Sequence, residues 1–230
     1  MNRLNEIDHQ WLVAINSWHS EWADTLMWIV SGKLTWLPLY VLLVSLIVWK
    51  FRYPTAVATN WLSRIPACIW IFLAFGLAVG LSDYISSGII KHWVCRPRPT
   101  HEPMLEGLLH IVRDYRGGHY GFVSSHAANT ISCALLFGLV WRRRPGGEKK
   151  KNHLVWWLLM LWVVLNCYSR MYLGVHYPGD IVGGLIVGAV MALVAYTLLH
   201  RLGALDPRGE QLSSPVASYR KAVADDEGQD

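Results

Sequence analysis

Ser169-Arg170, five residues, His176, three residues, Asp180 is the stretch of this chain whose residue types and spacing could do the most chemistry. A helix starting near Pro178 brings Asp180 beside His176 on the preceding turn, where its carboxylate accepts the proton of one imidazole nitrogen. The other nitrogen keeps its lone pair, which suits a nucleophile or a general base. Arg170, six residues before His176, adds a fixed cation for an oxyanion. Ordinary residue frequencies would produce this spacing on the order of once in a thousand chains of such length.

Two other polar runs carry complementary groups. Ser124 and Ser125 precede an apolar stretch, so they read as helix caps whose backbone N–H groups point out towards an anion, with His126 in the first turn. Lys91 and Arg98 lie seven apart, with Arg96 between them and Pro97 and Pro99 stiffening the chain. Singly, these residues also read as an interfacial histidine, a plain helix cap and snorkelling cations. Pooled, they hold two histidines, several cations and a carboxylate, which is equipment for gripping and attacking a phosphate.

The elements that must position them are apolar helices. Hydrophobic residues make up 53% of the 230, thirteen are tryptophan, and only 16% are charged, a balance that a water-soluble domain of this size rarely shows. Apolar segments at 26–49, 67–90, 127–141, 154–168 and 181–199 approach the ~20 residues that cross a hydrocarbon core, and aromatics gather at their ends. The expected fold is all-α, an integral membrane helical bundle of five to six spans occupying 26–203. Residues 1–25 are expected to form an interfacial amphipathic helix, because Ile7, Trp11, Leu12, Ile15, Trp18 and Trp22 share one helical face. Glu6, Asp8 and His9 interrupt the region where a cleavable signal peptide would have its apolar core. Residues 204–230 are polar and mixed in charge and are expected to be a mobile cytoplasmic tail.

Lysine and arginine placement sets the expected orientation. Lys50, Arg52 and Arg64 flank one connection, and Arg142, Arg143, Arg144, Lys149, Lys150 and Lys151 crowd another, so both should be cytoplasmic. Alternation then puts 91–123 and 169–180 together on the extracytoplasmic face of an inner, or plasma, membrane. Beside two spans, the basic loop reads as a topology determinant, and no nucleic-acid partner is expected. Cys68, Cys95, Cys133 and Cys167 are isolated, and Arg170 beside His176 and Asp180 would repel a cation, so no metal or other cofactor is expected.

With these residues in hand, the chain resembles the type 2 phosphatidic acid phosphatases, integral-membrane lipid phosphate phosphatases. Their signature is Lys-x6-Arg-Pro, Pro-Ser-Gly-His and Ser-Arg-x5-His-x3-Asp. Here the first reads Lys91 to Arg98-Pro99, the second Val123-Ser124-Ser125-His126, and the third Ser169-Arg170 through His176 to Asp180. The second departs twice, and Ser125 stands where glycine would allow the closest backbone approach to a ligand. The resemblance implies a metal-independent reaction through a phosphohistidine. His176 would attack phosphorus with Asp180 orienting it, and His126, kept protonated by the bound phosphate, would protonate the leaving oxygen. Lys91, Arg98, Arg170 and the Ser124 and Ser125 N–H groups would bind the phosphate.

Two other classes of protein could carry part of this pattern. A vanadate-dependent haloperoxidase could use the same anion site, and a halide oxidation assay separates it. A transporter would place charges within spans and show an internal repeat; apart from Asp83 the polar groups gather at one surface. Asp83 reads equally as a support for a site cation or as an interfacial residue, and Asn129, one turn inside His126, as a helix-packing residue ahead of a support for the site. Gly184 and Gly188 read as a close helix contact. The 101–123 segment, with Tyr115 and Gly117, Gly118 and Gly121, reads as a lid or headgroup loop. Lipid partners are expected, with undecaprenyl diphosphate and lipid A phosphate ahead of phosphatidylglycerol phosphate and phosphatidic acid.

Overall fold

The computed structural model describes residues 3–51, 67–143, 153–202 and 204–205. Among them the chain is all-α. Helices α1 (Arg3–Asn16), α2 (Glu21–Ser31) and α3 (Leu37–Lys50) lead into the long α4 (Ala67–Val94). After an irregular stretch come α5 (Ser125–Trp141), α6 (His153–Tyr172) and α7 (Pro178–Arg201). By length and composition α4, α6 and α7 can each cross a membrane, and α2 with α3 passes as a bent pair. Their outer faces show Phe72, Leu73, Trp157, Leu161, Val182 and Ile186, an arrangement stable only against lipid.

Helix α5 is the axis of the bundle, packed by α4, α6 and α7. At 17 residues it spans only ~25 Å, less than a hydrocarbon core, and its burial on all sides makes a longer apolar face unnecessary. Gly184 and Gly188 let α7 lie directly on it: a Cβ at the first would strike the Ser124 carbonyl, and one at the second the Ala128 carbonyl. Gly188→Ala is therefore expected to force the two helices apart, costing about 1–3 kcal/mol. A lowered thermal midpoint in detergent would show it.

The structure corrects two boundaries. The segment expected as one span over 26–49 is broken after Ser31, and its halves are bent by 73°. Gly32 turns extended at the break, where a Cβ would meet the Thr35 hydroxyl at 2.7 Å. Carbonyls left over at the end of α2 are taken up by side chains: Thr35 Oγ1 donates to Ile29 (2.6 Å) and Trp36 Nε1 to Val30 (2.8 Å). The N-terminal helix also ends earlier than its apolar spacing predicts, at Asn16. The Asn16 amide turns inward, donating to the carbonyls of His110 (2.9 Å) and Tyr172 (2.7 Å) and accepting from the His110 N–H (2.7 Å). Trp18 and Trp22 thus lie past α1.

Ala204 and Leu205 are both buried in the core, and 206–230 lie outside the described residues. So do Arg52, Arg64, Arg144, Lys149, Lys150 and Lys151. Of the same basic set, Lys50 donates to the Trp141 carbonyl and Arg143 to the Tyr196 hydroxyl (2.8 Å), which puts both at the end of the bundle where α5 finishes.

Candidate active site

All three polar runs meet at the other end, where α4 and α6 finish and α5 and α7 begin. Helix α4 takes a π-helical course over Tyr84–Ile90, a form common near functional sites, and returns to α-helix at Lys91. Ser82 and Ser86 accompany it, their hydroxyls donating to carbonyls four residues back, Ala78 (2.7 Å) and Ser82 (2.6 Å). Cys95, at a left-handed φ of 51°, stops the helix. Beyond it the backbone pairs briefly with the loop, Arg98 N–H to His119 O and Gly121 N–H to Arg96 O, both 2.9 Å. That clasp fixes Arg98, whose Nε donates to the Tyr120 carbonyl (3.1 Å).

The cations are sequestered. Arg98 and Arg170 are only 8% and 3% exposed, and each keeps one buried N–H without a protein acceptor, Arg98 Nη1 and Arg170 Nε. Arg170 Nη1 donates to Ser31 Oγ. Burial disfavours the charged form of Arg98, and the neighbouring Arg170 charge adds to it. Paired guanidinium groups under such repulsion, with donors to spare, are a receptor for anionic oxygens. Lys91 Nζ reaches Ser125 Oγ at 3.5 Å and completes the positive wall.

Ser124 is the N-cap of α5, its Oγ accepting from the Ala127 N–H at 3.5 Å. Its own N–H donates to the Asp180 carbonyl (2.9 Å), so it is not free for a ligand. The expectation that both serine amides face the anion is therefore corrected. Ser125 and His126, in the first turn, are the residues whose amides lack intrahelical acceptors. The His126 imidazole lies within electrostatic range of Arg170, His176 and Lys91.

His176 and Asp180 are almost completely buried. His176 Nδ1 stands 3.4 Å from Asp180 Oδ2, which also accepts the Tyr177 N–H at 3.1 Å; Oδ1 accepts from Arg96 Nη1 at 3.0 Å. With Nδ1 turned to the carboxylate, Nε2 carries the lone pair. Burial lowers the His176 imidazole well below its usual range, and the charges of Arg170, Arg98 and Lys91 act the same way. It is neutral at pH 7 and chemically available. The unfolded chain takes up this proton near pH ~6.5 and the folded one resists it, so the folded state loses ground as pH falls through that value. Acidification from pH 7 to 5 is expected to lower the thermal midpoint, and His176→Gln to make that drop smaller.

Several contributors carry little or no signal in the sequence. Ser31 is a lone serine at a helix end. Tyr115, noted only as a loop aromatic, lies with its ring centroid 5.8 Å from the Arg170 guanidinium carbon. Burial acts to raise its phenol, but Arg170 and Arg98 outweigh that and lower it. In the same loop, side chains at Gly117 and Gly121 would collide with Arg98, and the latter also with Asp180 at 3.0 Å. Asp83, itself exposed, accepts a hydrogen bond from Asn129 Nδ2 (3.0 Å) and is within electrostatic range of Lys91. Both line a cavity of about 560 Å³ between α3, α4 and α5, with His126 and Ser125 at one end and Tyr40, Ile47, Ile71 and Phe75 along its length.

A helical membrane bundle with a buried histidine–carboxylate pair facing clustered cations defines a membrane-embedded enzyme acting on an anionic, phosphate-like group. The PAP2 superfamily profile matches residues 71–204, and the chain belongs to that superfamily. It is a membrane lipid phosphatase. It is 31% identical over 205 residues to the lipid A 4'-phosphatase of Bacteroides thetaiotaomicron, covering 87% of this chain and 80% of that one. The lipid A 4'-phosphatase of Porphyromonas gingivalis is 30% identical, with 85% and 74% covered. The crystal structure of a transmembrane PAP2-type phosphatidylglycerolphosphate phosphatase from Bacillus subtilis superposes with a TM-score of 0.58 at 21% identity, covering 87% of this chain and 88% of that one, which shows the shared fold.

Proposed function

We propose that this enzyme removes phosphate from a lipid phosphate at the extracytoplasmic face of the inner membrane, through a phosphohistidine on His176, with a lipid A phosphate as the first substrate to consider. The observation carrying the reading is the junction of the site with the apolar cavity: His126 and Ser125 line its polar end, and the rest suits hydrocarbon. A lipid seated there would have its phosphate among Lys91, Arg98 and Arg170 and its chains along α3 and α4. Undecaprenyl diphosphate, phosphatidylglycerol phosphate and phosphatidic acid would be gripped by the same cations. Lipid A phosphate comes first because the two relatives at 30–31% identity bear that activity in their names.

In the first step the Nε2 lone pair of His176 forms a bond to phosphorus while the bond from phosphorus to the lipid oxygen breaks, and His126 gives that oxygen a proton. Asp180 holds the Nδ1 proton and stabilises the positive charge growing on the ring. In the second step His126 takes a proton from water, whose oxygen attacks phosphorus; phosphate departs and His176 is neutral again. Arg98, Arg170, Lys91 and the first-turn amides of α5 stabilise the equatorial oxygens throughout, the dominant demand in phosphoryl transfer.

Sidedness is supported by Lys50, Arg142 and Arg143 standing at the end of the bundle away from the site, as cytoplasmic retention of cations requires. We place α1 at the membrane surface, since Leu4, Ile7 and Trp11 on its outer side are exposed. Phosphate release from the four lipids by purified enzyme in detergent with EDTA tests the assignment. The lipid A phosphate should turn over fastest; release from water-soluble esters alone would overturn it.

A further inference from the structure

Asp180 is held by a cation that none of the three runs uses for phosphate. Arg96 Nη1 donates to Asp180 Oδ1 at 3.0 Å, and its other arm, Nη2, donates to Asp8 Oδ2 of α1 at 2.8 Å. The other oxygen of Asp8, Oδ1, accepts the N–H of Gly179 at 2.9 Å, the residue next to Asp180. The Arg96 guanidinium carbon lies over the Tyr177 ring, 4.0 Å from its centroid, and His9 stacks on the same tyrosine at 5.2 Å. A side chain at Gly179 would run into the Asp8 carboxylate, so α1 sits directly against the first turn of α7. Leu12, fully buried, and the inward amide of Asn16 pin the rest of α1 in place.

We infer that Asp8 and Arg96 are positioning residues for the His176–Asp180 pair, so that the N-terminal helix is a working part of the active site. Arg96 Nη1 on Oδ1 and the Tyr177 N–H on Oδ2 together fix the plane of the Asp180 carboxylate and thereby the direction of His176 Nδ1–H. Asp8 sets how much of the Arg96 charge Asp180 feels. With Asp8 present, the three groups carry one net negative charge, which remains to stabilise the imidazolium formed as phosphorus bonds to Nε2. Without it, Arg96 and Asp180 become a neutral pair and that stabilisation weakens in the transition state, with little change in the resting site. Arg96 cannot be exchanged for lysine at equal effect, because one ammonium cannot hold two carboxylates in fixed planes.

This inference rests on the phosphohistidine reading, and the experiment separates the two. Asp8→Asn keeps an oxygen for the Gly179 N–H and removes only the charge. It should lower kcat about 10–100-fold with KM within about twofold, as expected when a charge that stabilises the transition state more than the resting site is removed. Orthovanadate, which mimics the five-coordinate transition state on the histidine, should inhibit Asp8→Asn more weakly by a similar factor, while inhibition by inorganic phosphate stays unchanged. Asp8→Glu should recover part of kcat, and Arg96→Lys should behave like Asp8→Asn. A general loosening of the fold would weaken vanadate and phosphate together, and that outcome overturns the inference, as does wild-type kcat in Asp8→Asn. If His176→Ala keeps its activity, the phosphohistidine reading fails. If His176→Ala is inactive and Asp8→Asn is normal, only the present inference fails.

Discussion

His176→Ala is expected to lower turnover on the order of 10⁴-fold or more, the scale seen when a nucleophile is removed from a covalent mechanism. His176 has its Nδ1 facing Asp180, and it is neutral because burial and three nearby cations disfavour its proton. The fold should survive the change, since Asp180 keeps Arg96 and the Tyr177 amide as partners. A detergent assay of phosphate release, paired with thermal melting, checks both halves. Substantial residual turnover would mean that water attacks phosphorus directly and that His176 serves another purpose.

Arg170→Ala should cost about 3–4 kcal/mol of transition-state stabilisation, or two to three decades in kcat. The reason is its position: 3% exposed, with one arm on Ser31 and Nε uncommitted beside Arg98. Stability should move the other way. Removing one of two repelling buried cations relieves the site, so the melting midpoint is expected to hold or rise, a separation of activity from stability common at preorganised sites. Arg170→Lys should recover only part of the loss, because a single ammonium cannot both engage Ser31 and reach a phosphate oxygen. Equal loss of activity and stability in Arg170→Ala would mean that the arginine is chiefly structural.

Much of this arrangement was legible in the sequence because it is local. Pro178 at the start of α7 and the four-residue step from His176 to Asp180 define their own geometry, and Ser124 before an apolar run defines its own cap. Glycines at 184 and 188 likewise announce a close helix contact. What escaped is what depends on distant partners. Ser31 and Arg170 are 139 residues apart, and Asp8 and Gly179 are 171 apart. No spacing rule links such pairs. Arg96 reads as one more cation beside Arg98, and only the fold shows that one guanidinium serves carboxylates while the other keeps a buried N–H without a protein acceptor. The break after Ser31 was hidden for a related reason. The hydropathy of 26–49 is continuous, and the bend comes from side chains of Thr35 and Trp36 satisfying carbonyls, which an average over apolar residues does not register.

The most direct test is to find the phosphorylated residue. Purified enzyme mixed with a radiolabelled lipid phosphate in EDTA, quenched in alkali within milliseconds and digested, should yield an acid-labile, alkali-stable label on the peptide containing His176, absent from His176→Ala. Label on a different residue, or full turnover with no labelled enzyme at any quench time, would contradict the account.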